Sequence, residues 1–453
     1  PQHRRQRQMC IRDRIYTMKN KIYSLILASG ILFLSCEKDP ETVYETITVT
    51  ETVVVTETET VTVEVPATVT IPETQTVGSD SGIYYINEDT TWTNDRIWIM
   101  DGKIVVQDQV TLTIQPGTII KSTSLTGVDS TALIVAKGGK IQAAGTADAP
   151  IVFTDIEDQL DYTNTNRVSP NRVATDTGKW GGIILLGNAT VGEDGGEDDI
   201  EGIASGYPWT KYGGTNDADD SGVMSYVSIR HNGIAISEGN EIQGLTMGGV
   251  GSGTTISNIE VVGSDDDGIE IFGGTVNVTN LVIYANTDDA VDLDEGYAGT
   301  ITNVVVQTKA ATDNIFEIDG TEDSTDANDG QFTIKDVTYI GVEGNTTKTD
   351  QLGHWKSDAT GTTENVLYTV MDGQVIEGID ADTYSATATT NAVNTLIFKN
   401  FQFQTTTTLA AILANTADTT TATPAWASVV SSGSVGADTS VFGWTMWYQT
   451  TQQ

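Results

Sequence analysis

From about Gly82 onward the chain alternates short runs of Ile, Val, Leu and Thr with clusters of Gly, Asn, Asp and Ser. Apolar positions recur every second residue rather than at helical spacing, which predicts strands and turns throughout and no helices. The strands also repeat. ISNIEVV (256–262) returns as VTNLVIY (278–284) and as ITNVVVQ (301–307). Looser copies are IKDVTYI (334–340), TENVLYT (363–369) and FKNFQFQ (398–404). From Asn258 to Asn280 is 22 residues, and from Asn280 to Asn303 is 23. Longer steps hold insertions such as TEDSTDANDG (321–330).

A period in the low twenties, with short strands and one Asn per turn, fits one coil of a parallel β-helix. Each coil pairs its strands with the coil above, about 4.8 Å away. Asn tolerates the left-handed corner, and its amide can bond to the Asn stacked on it. Ile and Val then point inward and stack into one core. The fold expected is all-β, a single-stranded parallel solenoid over 82–453, closed at its end by VFGWTMW (441–447) as a last coil or cap.

Upstream segments carry a resemblance. ALIVAKGGKIQAAGTADAPIVFTD (132–155) and GKWGGIILLGNATV (178–191) resemble coils of the right-handed β-helix, pectate-lyase-like superfamily. With YVSIRHNGIAI, LTMGGVGSGTTI and DDGIEIFGGTVN they are similar to a group of Bacteroidota surface lipoproteins of that fold. The resemblance spans roughly 82–447. It implies a right-handed solenoid and says little of activity, because fold does not fix function and those lipoproteins are mostly of unknown function.

The N-terminal region reads as an address. From Met18, Lys19 and Lys21 precede an apolar run, Ile22 to Leu34, of signal-peptide length and too short to span a bilayer. It ends in Phe33-Leu34-Ser35-Cys36, which resembles a lipobox with Phe33 in the usual Leu place, and makes Cys36 the residue to be acylated. Glu37-Lys38-Asp39 is similar to the tags that export lipoproteins to the surface. Residues 1–17 resemble translated sequencing-adapter read-through and are set aside, with His3 and Cys10. The expected organisation is therefore a non-native leader (1–17), a lipoprotein signal peptide (18–35), a stalk (36–81) and the solenoid. Within the stalk, residues 41–77 alternate Thr or Glu with Val or Ile without Gly or Asn to turn them back. Extended at roughly 3.3 Å per residue, such a spacer reaches on the order of 120 Å; self-association into a β-rich stalk is the alternative. The expected location is the outer membrane or cell surface, lipid-anchored.

Charge narrows the partners. The chain carries 62 acids against 23 bases, a net of −39. Seven of the bases (Arg4, Arg5, Arg7, Arg12, Arg14, Lys19 and Lys21) precede Cys36, so the body is more acidic still. Such a surface excludes nucleic acid, which needs a basic footprint. It suits salty water or cation binding. A polysaccharide or another cell-surface partner remains open. With cysteine only at 10 and 36, no disulfide can staple the body.

The acids recur at the coil period. Asp266-Asp267 returns as Asp288-Asp289, and Glu270 as Asp292. The turn register aligns His231-Asn232, Asp266-Asp267, Asp288-Asp289 and Asp313-Asn314, and the next outward position aligns Ala235, Glu270, Asp292 and Glu317. Ile269, Val291 and Phe316 fall between and face the core. Stacked carboxylates about 5 Å apart repel, so they must take up protons, hold a cation, or lie on a solvated face. Ca²⁺ takes six to eight oxygens, and Asp266, Asp267, Asp288, Asp289, Asp292, Asp294 and Glu295 are its candidate ligands. Asp217, Asp219, Ser221 and Gly222 match the first half of an EF-hand-type loop whose twelfth position is Ser228 rather than Glu. Tyr207, Trp209 and Tyr212, in the same insertion, can stack on sugar rings or pack inward.

Two function classes follow from the residues, beside a structural or surface-layer role that nothing in the sequence tests. One is a surface binding or adhesion module, Ca²⁺-stabilised and glycan-binding. The other is a polysaccharide hydrolase or lyase. Asp266, Asp267, Asp288 and Asp289 are the candidate acids for hydrolysis, and His231, beside Arg230, is a candidate base for a lyase, as is the stretch His354-Trp355-Lys356. Arg230 and His231 are adjacent on a strand and so point to opposite faces. The binding module is the reading preferred.

Overall fold

A computed structural model describes residues 73–452, except 238–239, 310–311, 322–329, 343–349, 372–373, 382–383, 385–394 and 417–423. The segments read as leader and signal peptide, Cys36, and most of the segment read as a stalk lie outside these residues.

Among the described residues, 25 strands form one large parallel sheet wound into three ladders, beside two short antiparallel pairs. In the first ladder Thr255–Val262 pairs with Asn277–Tyr284, which pairs with Thr300–Gln307 and then Phe332–Ile340 and Gly361–Thr369. Each of these strands bends at one residue with positive φ: Asn258, Asn280, Asn303, Asp336 and Asn365. The bend sends its second half onto a second ladder. Short polar side chains tolerate that conformation, and they bond to one another along the stack. Asn280 Nδ2 donates to Asn258 Oδ1 (3.0 Å) and Asn303 Nδ2 to Asn280 Oδ1 (2.7 Å). Asn365 Nδ2 donates to Asp336 Oδ1 (2.9 Å) and Asn400 Nδ2 to Asn365 Oδ1 (3.0 Å). The expected Asn corner is present.

The third ladder runs through Arg96–Val106, Ala132–Val135, Ile183–Leu186, Leu245–Gly248, Ile269–Phe272, Val291–Asp294 and Phe316–Ile318. Ile269, Val291 and Phe316 pair in register and are buried in a core that runs from Ile86 to Ala427. Stacking of apolar residues coil upon coil is the main stabilising contribution, at roughly 25 cal/mol per Å² buried.

Four features depart from the reading of the sequence. The pairing begins earlier, because Glu73–Ile86 is already laddered on Arg96–Val106. Ala235 does not stack on Glu270; Thr246 does. The cause is an antiparallel hairpin, Ile234–Ser237 with Asn240–Ile242, that leaves the solenoid before the chain rejoins it. For the same reason Arg230 pairs with Val262, which places His231-Asn232 over Gly263-Ser264 rather than over Asp266-Asp267. Finally, residues 439–451 are not an end cap. They form a 3₁₀ turn and the helix Met446–Thr451, and Phe442, Met446 and Trp447 pack on Val262, Val282, Tyr284 and Val305, on the outside of the second ladder. A helix there was not expected, since six residues carry too little periodicity to read.

Candidate metal centre

Parallel in-register pairing fixes the outward positions of the third ladder. One column reads Tyr85, Val105, Ile134, Ile184, Thr246, Glu270, Asp292, Glu317 and His354. Its first half is apolar and is covered by the chain between Gly187 and Ser221. Val105, Ile134, Ile184 and Leu186 pack there with Ile200, Ile203, Trp209 and Tyr212. Its second half is acidic.

The acids face outward from the sheet, as the alternation predicts, yet they are not solvated. Asp266, Asp267, Glu270, Asp289, Asp292 and Glu295 are each less than a tenth exposed. Asp288 is exposed and Asp294 half-buried. The turns that carry them stack closely: Gly268 N donates to Asp289 O (2.9 Å) and Ala290 N to Asn314 O (2.9 Å). A Cβ on Gly268 would lie 2.6 Å from Ala290 O, so only glycine lets these turns close on one another.

Among the described residues, carboxylate oxygens converge within 4.8 Å in four linked groups. These are Asp266, Asp267 and Asp288; Asp267, Glu270 and Asp292; Asp288, Asp289 and Asp313; and Asp289, Asp292 and Glu317. Shared members join them into one cluster. Some oxygens are satisfied by backbone: Asp267 Oδ1 accepts from Asp289 N (2.8 Å) and Asp289 Oδ1 from Asn314 N (2.5 Å). Others are buried without a hydrogen-bond partner, namely Asp266 Oδ2, Glu270 Oε2 and Asp292 Oδ1, together with the amide oxygens of Asn286 and Asn314. Among the described residues, basic side chains enter at the far end, where Lys356 Nζ lies 3.2 Å from Glu317 and 2.9 Å from Asp319, and His354 Nδ1 3.7 Å from Glu317.

The electrostatic consequence is strong. Burial, reinforced by Glu241, Asp288 and Glu201, pushes Asp266 up to about 8. Burial first, and neighbouring carboxylates second, hold Asp267, Glu270, Asp289 and Asp292 well above the ordinary range. Asp294 rises to about 7, through burial and then Asp319. A fifth acid group lies apart: Glu193, Asp198 and Glu295. Burial raises Glu295 to about 8 although Tyr212 Oη donates to it (2.5 Å).

Sequence reasoning missed Glu201, which faces Glu270 and accepts from Gln243 Nε2 (2.5 Å). Burial raises it as well. It lines a cleft of about 400 Å³ with Val128, Ile203 and Asn240. No periodicity marks it, because it lies in the insertion rather than in a coil.

The other candidates fall elsewhere. Asp217 Oδ1 accepts from Thr190 N (3.0 Å), and Asp219 takes Asn188 Nδ2 (3.1 Å) and Ser221 Oγ (3.3 Å), so this loop is occupied with its own backbone and neighbours. None of its acids belongs to the convergent groups among the described residues. Tyr212 is buried against Phe272, its ring within 3 Å of where a Cβ on Gly248 would stand, and offers no face to a sugar. Trp209 is buried and Tyr207 exposed. His231 is fully buried, with Nδ1 2.7 Å from Asp176 O, and burial lowers its pKa. It is not brought to the acids.

All the convergent donors are oxygens, with no thiol or imidazole among them. That is the donor chemistry of a hard cation such as Ca²⁺. A pectate-lyase-like beta helix domain matches residues 84–449. No curated protein and no solved structure matches the chain.

Proposed function

The chain belongs to the pectate-lyase-like β-helix family, and on that premise we propose that it is a binding module of the cell surface whose buried acid ladder holds Ca²⁺. The anchor at Cys36 and the stalk would carry the solenoid away from an outer membrane. One observation carries the cation reading: Asp266 Oδ2, Glu270 Oε2 and Asp292 Oδ1 are buried, unpartnered and grouped with further carboxylates. Two unit charges about 5 Å apart at an effective dielectric near 20 repel by roughly 3 kcal/mol. Protons or a cation must offset that. Asp266, Asp267, Asp288, Glu270, Asp292 and Asp289 would hold the ion, with the amide oxygens of Asn286 and Asn314 at the margin. Bound there, Ca²⁺ would fasten three successive coils.

Thermal unfolding of the full chain, first in EDTA and then with Ca²⁺, tests the reading. We expect a higher midpoint with Ca²⁺, and its loss in an Asp266→Asn/Asp288→Asn/Asp289→Asn variant. Equal midpoints in EDTA and Ca²⁺ would sink it.

A hydrolase is the second reading, favoured by one contact. Glu201 lines an open cleft and faces Glu270, two carboxyls of the kind that glycoside hydrolysis divides between acid and base. Release of reducing sugar from neutral polysaccharides, abolished by Glu201→Gln, would support it. A lyase is disfavoured, because Arg230 and His231 are buried and Lys356 is paired with Glu317 and Asp319.

A further inference from the structure

At the apolar end of the same outer column a second cleft opens, of about 340 Å³, lined by Tyr85, Gln107, Asp108, Lys137, Tyr207 and Trp209. Tyr207 stacks on Trp209, ring centroids 5.1 Å apart and planes 21° from parallel. One face of Tyr207 is thus used, and the residue remains 41% exposed. Trp209 Nε1 donates to Tyr85 Oη (3.2 Å), which ties the insertion to the first coil and leaves Tyr85 36% exposed. The platform is held rigidly from behind. Tyr207 O accepts from Thr210 N (3.1 Å) and Oγ1 (2.8 Å). Lys211 pairs with Asp199 (2.8 Å), and Lys137 bonds to Gly213 O (2.8 Å) and to Glu197. Lys137 is therefore already engaged by a carboxylate. Gln107 Nε2 lies buried in the lining without a partner.

We propose that this cleft is a binding subsite for a neutral oligosaccharide, one pyranose face lying on Tyr207 and its hydroxyls bonding Gln107 and Asp108. Three observations select that class. A preformed aromatic face next to an amide and a carboxylate matches a ligand with an apolar ring face and a rim of hydroxyls. The volume lies in the range of small-ligand sites. Asp108 in the lining, the engagement of Lys137 and a net charge of −39 repel uronates and other polyanionic glycans. The proposal deepens the binding-module reading and rests on it, but not on the cation.

The test is titration of the full chain with cellohexaose, xylohexaose and mannohexaose, and with hexagalacturonate, in Ca²⁺ and in EDTA. Binding is followed by tryptophan fluorescence and calorimetry. At least one neutral hexasaccharide should saturate, with hexagalacturonate at least tenfold weaker. Tyr207→Ala should weaken it tenfold or more and Gln107→Ala severalfold, at unchanged unfolding midpoints. Tyr84→Ala, an exposed aromatic outside the lining, should leave it unaltered. Should Tyr207→Ala fail to fold, Gln107→Ala carries the test. No binding by any neutral hexasaccharide, preferred binding of hexagalacturonate, or full affinity in Gln107→Ala overturns the proposal. Sugar binding in EDTA with no Ca²⁺ effect on unfolding would remove the cation reading and keep this one. The converse pattern would do the reverse.

Discussion

Glu260 and Glu270 are both buried, both on outward faces of the solenoid, and ten residues apart, yet they keep opposite company. Glu260, on the second ladder, accepts from Ser228 Oγ (2.6 Å) and from Trp447 N (2.8 Å), and lies 3.7 Å from Arg230 Nη2. Arg230 is itself held by Ser228 Oγ (2.7 Å) and Arg167 O (2.6 Å). Further up that ladder Asp155 is gripped the same way, by Arg172 Nε (2.9 Å) and Nη2 (2.6 Å). Glu270, on the third ladder, meets Glu201, Asp267 and Asp292. One outer face buries acids against arginine. The other buries acids against acids, and so needs a proton or a cation from solution.

The largest expected effect breaks the first arrangement. Arg230→Met leaves Glu260 buried without its cation, and losing one member of a buried pair costs roughly 3–5 kcal/mol. Denaturant unfolding should show that loss equally in EDTA and Ca²⁺. A cost of Arg230→Met that changed with Ca²⁺ would mean that the two faces are less distinct than their partners suggest.

The next effect is on pH. Carboxyls raised in the folded state bind more protons there than in the unfolded chain, so stability falls as pH rises through the window between their ordinary and raised values. That window reaches about 7 for Asp294 and about 8 for Asp266 and Glu295. The buried His231 works the other way, since its lowered pKa removes stability as pH falls through the ordinary imidazole range; it is one group against several. In EDTA the unfolding midpoint should therefore drop by about 5 °C or more from pH 5 to pH 8. Ca²⁺ should flatten the slope. A midpoint that rises with pH in EDTA would contradict the protonated ladder.

An isosteric pair sharpens the contrast further. At pH 8 in EDTA, Glu260→Gln should destabilise by about 1–3 kcal/mol, because Arg230 loses its counter-charge. Glu270→Gln should be neutral or stabilising by about 1 kcal/mol, because it removes a group that has to be kept protonated. Its gain from Ca²⁺ should shrink. If both substitutions destabilise alike, the difference in company has no energetic meaning.

The periodic part of this chain was legible and the aperiodic part was not. The Asn corner at Asn258, Asn280 and Asn303, the inward triad Ile269, Val291 and Phe316, and the outward triad Glu270, Asp292 and Glu317 all follow from one offset of 22 to 25 residues, since in-register pairing turns sequence period into spatial contact. Burial of the acids did not follow. Their cover comes from residues 187–221 and from the hairpin beginning at Ile234, whose positions no repeat dictates. Glu201 and the Tyr85–Trp209 contact were missed for the same reason, and Arg230–Glu260 because the hairpin lengthens the step between their strands. Tyr85 meets Trp209 across 124 residues, and Trp447 meets Glu260 across 187. The hairpin also displaced His231 by three positions from its expected place, a slip that a period alone does not reveal.

The smallest effect tests whether the corner, common to both faces, is indifferent to cation. Asn280 adopts φ 59° and both donates to Asn258 and accepts from Asn303. Ala in its place meets the left-handed strain that Asn tolerates and breaks two links of the amide stack. Each exposed or half-buried link contributes about 0.5 kcal/mol net, the low end of the usual range, so with about 1 kcal/mol of strain Asn280→Ala should cost roughly 2 kcal/mol. Asn280→Gly removes the strain but not the lost bonds, and should recover about 1 kcal/mol of it. Urea midpoints for both variants should shift by the same amount in EDTA and in Ca²⁺. The corner and the ladder lie on adjoining coils, and strain at the corner reaches Glu270 only if the coil moves as a rigid unit. A Ca²⁺-dependent cost at Asn280 would show that it does, and would make the ion a fastener of whole coils rather than of the one face that carries the acids.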